Sequence, residues 1–171
     1  MKLKNPVRDI RTINALLTRA EAAAHEAGET MPGAEHLLLS ALELPDGTAR
    51  RAFERLGADP DELGSAIAAQ HAQALRAIGI EPVNDEVLDV PDGRGAGPPT
   101  GVFRATASAQ AAFRAAVDLA KAQKSPLLGA HVVAAIARME HGTAARALRV
   151  MGIDRHALAT ASQEELDALR T

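Results

Sequence analysis

An all-α protein built from two copies of one four-helix unit is what this sequence predicts, and three observations carry the prediction. The chain is rich in alanine, with three phenylalanines and neither tryptophan nor tyrosine. Alanine costs least in a helix and lets helices approach closely. Apolar residues recur at three- and four-residue steps, and strand-like runs are nearly absent. One stretch also occurs twice. Residues 36–63 read HLLLSALELPDGTARRAFERLGADPDEL and residues 131–158 read HVVAAIARMEHGTAARALRVMGIDRHAL, aligned without a gap. His36 pairs with His131, Gly47-Thr48-Ala49 with Gly142-Thr143-Ala144, and Arg51-Ala52 with Arg146-Ala147. Gly57, Asp59 and Leu63 pair with Gly152, Asp154 and Leu158. Turn glycines, caps and core positions are what two copies of a supersecondary unit share.

The first helix is expected from about Arg8 to Ala27, with Ile10, Ile13, Leu17, Ala20, Ala24 and Ala27 forming its apolar stripe and Gly28 stopping it. After Pro32-Gly33, the segment Ala34–Leu44 is apolar around most of its circumference, so it reads as the buried centre of its unit. Pro45-Asp46-Gly47 turns the chain into a third helix that faces inward through Ala49, Ala52, Phe53 and Leu56. Asp59-Pro60-Asp61-Glu62 starts a fourth: a capping carboxylate, a proline at the first helical position and a glutamate three residues after the cap.

Residues 79–102 are dominated by glycine and proline and read as a linker, mobile at Gly93–Pro99, between repeats at 1–78 and 103–171. The plan then recurs. A fifth helix is expected over Thr106–Lys124, a sixth and buried one over Gly129–Met139, a seventh over Thr143–Met151, and an eighth capped by Asp154. Ser162-Gln163-Glu164-Glu165 has the form of a capping box and predicts one more short helix at the C-terminus. Equivalent apolar faces predict that the units pack on each other about a pseudo-twofold axis as one domain.

The formal charge of −3 comes from 19 basic and 22 acidic residues spread evenly, which argues against a nucleic-acid binder. Without cysteine, disulfides and thiolate metal sites are excluded. The opening MKLKNPVRD lacks the apolar run of a signal peptide, and the longest apolar run, Val132–Ala137, is far short of the roughly 20 residues of a membrane span. A cytoplasmic location is expected.

Few residues suggest chemistry. His25-Glu26-Ala27-Gly28-Glu29 offers H-E-x-x-E, not the H-E-x-x-H of a zinc protease. Gly93-Arg94-Gly95-Ala96-Gly97 follows no strand and reads as linker, and no nucleophile sits in G-x-S-x-G. His36 and His131 open the two buried helices, where a loop-bonding imidazole is the expected role. No catalytic residue, metal or cofactor is expected.

Gly33-Ala34-Glu35-His36-Leu37-Leu38-Leu39, followed by Gly47-Thr48-Ala49 and Leu56-Gly57-Ala58-Asp59, resembles the N-terminal repeat of the ClpC-like Clp unfoldases. That repeat carries Gly-Thr-Glu-His-Leu-Leu-Leu-Gly and then a Leu-Gly-Val-Asp-like turn. Phe103-Arg104-Ala105-Thr106-Ala107 resembles the Phe-Thr-x-x-Ala opening of its second copy. The resemblance implies a double Clp N-terminal repeat, expected here as a stand-alone module because no G-x-x-x-x-G-K-[ST] loop of the ATPase occurs. It further implies a contact between Glu35 and phosphoarginine, since a carboxylate accepts paired hydrogen bonds from a guanidinium-type group. Glu35, His36 and Phe103 are the ligand-binding residues it implies. The second repeat reads Gly129-Ala130-His131 and lacks that glutamate, Ala34 replaces the threonine, and Val7-Arg8-Asp9-Ile10 lacks the opening phenylalanine.

The expected function is a non-enzymatic protein- or peptide-binding module of the Clp protease system, an adaptor or a decoy. Its expected partners are substrates, adaptors or peptide-like inhibitors of the unfoldase, or the unfoldase itself, with no nucleic acid and no membrane. The alternatives are a small histidine-dependent metal hydrolase and a structural partner that docks on the unfoldase.

Overall fold

In the computed structural model, residues 6–79 and 104–170 are described, with side chains from Asp9 onward. Phe103 and nearly all of the glycine- and proline-rich segment 79–102 lie outside them. The described residues form helices α1 (Pro6–Glu26), α2 (Ala34–Leu42), α3 (Thr48–Glu54), α4 (Leu63–Ala77), α5 (Ala107–Ala122), α6 (Gly129–Ala137), α7 (Thr143–Val150) and α8 (Arg155–Ala168), with a 3-10 turn at Pro60–Glu62. They contain no strand. None of these helices is long and apolar enough to cross a membrane.

Local chemistry explains most boundaries. Gly28, at φ +76°, ends α1 in the left-handed conformation that a side chain disfavours. The Asp59 carboxylate accepts from the Asp61 N–H at 2.9 Å, and the Asp154 carboxylate accepts from the Ala157 N–H at 2.8 Å. Thr106 caps α5 through the Ala109 N–H.

Two expectations need correction. Among the described residues there is no separate C-terminal helix, because α8 runs unbroken through Ser162-Gln163-Glu164-Glu165. The Ser162 hydroxyl donates to the Leu158 carbonyl at 2.8 Å, one turn back inside the helix, and so is not a cap. The stripe of α1 is correct in its middle and wrong at its ends. Ala20 and Ala24 are buried and Ile13 and Leu17 pack against the core, joined by Leu16, whereas Ile10 is 57% exposed and Ala27 is exposed. With 21 residues against 9 in α2, α1 overhangs the helix it packs on.

α2 and α6 are the centre. Every residue of α6 is buried, as are Leu37, Leu38, Ala41 and Leu42 of α2. One continuous core joins Leu16, Phe53 and Leu63 of the first unit to Val132, Ile136, Leu148 and Leu158 of the second. The units exchange partners reciprocally: α3 packs on α6 and α8, and α7 packs on α2 and α4. Gly129 permits a close approach of the units, since a Cβ there would lie 2.9 Å from Ala49 Cβ and 3.0 Å from the Ala41 carbonyl oxygen.

The exchange is not perfect. α8 lies along α6, but α4, its counterpart, barely touches α2. The start of α2 is therefore less covered than the start of α6.

Candidate functional site

The two buried helices start with the same device. His36 and His131 are each the third residue of their helix, and each Nδ1 accepts the N–H of the residue before the helix, from Gly33 at 2.9 Å and from Leu128 at 3.0 Å. Both rings are buried, and burial pushes both pKa values below the ordinary histidine range, so both are neutral at pH 7.

Their surroundings then diverge. Around His131 the cluster is apolar: Leu128, Ala130 and Leu166 pack together, and His131 Nε2 lies 3.2 Å from Ser125 Oγ. In the register of the repeat, the same positions around His36 are Gly33, Glu35 and His71, with Thr30 matching Ser125. The first unit thus has a glycine, a carboxylate and an imidazole where the second has an apolar closure.

These polar residues meet. Glu35 is 8% exposed although it is an acid, and its Oε1 lies 3.8 Å from His36 Nδ1 and 3.8 Å from His71 Nε2. The other ring nitrogen of His71, Nδ1, lies 3.2 Å from Oε1 of Glu29. Gly33 makes room, because a Cβ there would meet the Glu35 carboxylate at 2.5–2.8 Å. Glu29 is held by the end of α1, where its N–H donates to the Ala24 carbonyl at 2.8 Å. The Pro32 carbonyl accepts from the Thr106 N–H at 3.0 Å and ties this loop to the start of α5. A surface cleft of about 550 Å³, lined by Glu21, His25, Glu29, Thr30 and Arg104, adjoins the cluster on the Glu29 side.

With Nδ1 committed to Gly33, the free nitrogen of His36 is Nε2. Among the described residues it has no hydrogen-bond partner. The His36 and His71 rings stand edge to face, their centroids 6.3 Å apart.

Of the residues singled out in the sequence, Glu35 and His36 come together here, and Phe103 lies outside the described residues. Glu29 and His71 were missed as members. Glu29 figured only within H-E-x-x-E, and His71 stood in no motif. The readable signal was the departure from the second repeat, where Leu166 stands in the place of His71.

Residues 11–86 match the family described as the Clp repeat (R) N-terminal domain. Among solved structures, the fold is similar to that of the N-terminal domain of the caseinolytic protease associated chaperone ClpD from Arabidopsis thaliana. The TM-score is 0.56 at 21% sequence identity, over 94% of this chain and 92% of that one. No curated protein matches the chain in sequence.

Proposed function

We propose that this chain, whose residues 11–86 match the Clp repeat (R) N-terminal domain family, is a non-enzymatic recognition module of the Clp protease system whose ligand contact is Glu35. What supports the reading is the placement of that carboxylate. It is buried at the start of α2 beside a glycine that leaves it space, and its counterpart in the second repeat is Ala130. The proposed module has one such site, not two. A buried acceptor of this kind suits a guanidinium-type group, which can donate two hydrogen bonds to one carboxylate. Phosphoarginine, the ligand implied by the family resemblance, is the probe of choice.

Calorimetric titration of the whole chain with free phosphoarginine tests the reading. One-site saturation, lost in Glu35→Ala, is the expected result. The absence of saturation, or equal binding by the variant, overturns it. The direction of action is read separately, by adding the protein to a Clp degradation assay. A decoy lowers the rate and an adaptor raises it.

A further inference from the structure

We propose that Glu29, Glu35 and His71 form a binding site for one divalent transition-metal ion, with zinc the best-suited ion. The three side chains come from the turn after α1, the first turn of α2 and the middle of α4. One donor atom from each lies within 4.8 Å of the others. Ligand atoms on a tetrahedral zinc ion sit roughly 3.3 Å apart at its usual bond lengths. Closing the cluster therefore needs only a small side-chain adjustment, and the half-exposed Glu29 is free to make it. An imidazole with two carboxylates is a borderline donor set that suits zinc, whereas magnesium and calcium favour oxygen alone. Two carboxylates also balance the charge of the ion, as a partly buried site requires.

Two observations outside the cluster point to a ligand. His36 is 1% exposed and its Nε2 has no partner among the described residues, although its ring stands against His71. An anion or water completing the metal's coordination shell would give that N–H an acceptor. The second repeat, in turn, shows that the fold does not need polar residues here, since Leu128, Ala130 and Leu166 close the same place with apolar contacts. The metal proposal does not rest on the ligand reading above, but Glu35 is common to both, so bound zinc would compete with a guanidinium-type ligand.

The test is calorimetric titration of the metal-free whole chain with zinc chloride at about pH 7.5, with magnesium chloride in parallel. One equivalent of zinc is expected to bind with a Kd below about 10 µM. His71→Ala and Glu29→Gln should each weaken binding at least about tenfold. His156→Ala, on an exposed face of α8, should leave it unchanged. Circular dichroism establishes that the variants are folded. Cobalt needs no variant: the intense visible absorption of a four-coordinate ion should develop at the same stoichiometry. Failure of wild type to saturate overturns the proposal, as do equal affinities of wild type and the two cluster variants or a purely octahedral cobalt spectrum. His71 would then be only a packing neighbour of the two glutamates.

Discussion

His131 Nδ1 accepts from the Leu128 N–H at 3.0 Å, so protonating that nitrogen would set two donors face to face. Burial already holds the ring below its ordinary value of 6.5. As pH falls below that value, the unfolded chain takes up a proton that the folded chain refuses, so stability is complete above it and declines through it. Thermal unfolding should therefore shift to lower temperature between about pH 7.5 and 5.5. His131→Asn, whose amide oxygen can accept the same N–H without titrating, should flatten part of that decline, and the same melts check it. Glu165 shows the opposite sign. Burial alone would raise its pKa, but hydrogen bonds from Arg51 and Arg55 outweigh burial and hold it below the ordinary range. Arg51 Nε donates to it at 2.7 Å, and Arg55 Nε donates to its other oxygen. Its contribution is therefore present above the ordinary carboxylate value of 4.5 and is lost only as pH falls below it. Glu165→Ala should cost about 2 kcal/mol in a denaturant titration at neutral pH, because it removes charge-assisted bonds at a buried acceptor.

At the scale of elements, two glycines inside helices make opposite predictions. Gly129 opens α6 where α2 and α3 press against it, and an added Cβ would lie 2.9 Å from Ala49 Cβ and 3.0 Å from a backbone oxygen. Gly129→Ala should destabilise by about 1–3 kcal/mol despite the better helix propensity of alanine. Gly64, in the first turn of α4, has nothing within 4 Å of its would-be Cβ. Gly64→Ala should stabilise by about 0.5–1 kcal/mol. Chemical denaturation of the pair checks both signs. The N-terminus of α6 is also capped from the other unit: Gly129 N–H donates to the Asp46 carboxylate at 3.2 Å and Ala130 N–H to Thr48 Oγ1 at 2.8 Å. Asp59 and Asp154 announced their helix starts in the sequence, because each cap lies within three residues of the N–H it binds. The Asp46 cap could not be read there, since donor and acceptor meet only across the packed units.

On the scale of the whole molecule, the shared core and the crossed caps leave neither unit complete. A chain ending at residue 79 would expose the faces of Leu37, Leu38 and Phe53 that α6 and α8 help to cover. Burying each such side chain contributes about 2 kcal/mol. We propose that the repeats at 1–78 and 103–171 are units of sequence duplication and not of folding. The shortened chain should show no cooperative thermal transition by circular dichroism, whereas the full chain should unfold in one.

The all-α class, the duplication and most helix starts followed from the sequence because their causes are local. They rest on alanine content, a three- to four-residue apolar period, and capping residues next to the groups they cap. The local rule failed at Ser162, where a capping-box pattern sits inside a helix whose apolar face continues to Leu166. Glu35 and His36 were visible as a motif, but their neighbours Glu29 and His71 were not. Only the tertiary structure brings those residues together, because their proximity depends on how far α4 stands from α2. That spacing is set by packing between helices distant in the chain, and no residue pattern along either helix encodes it.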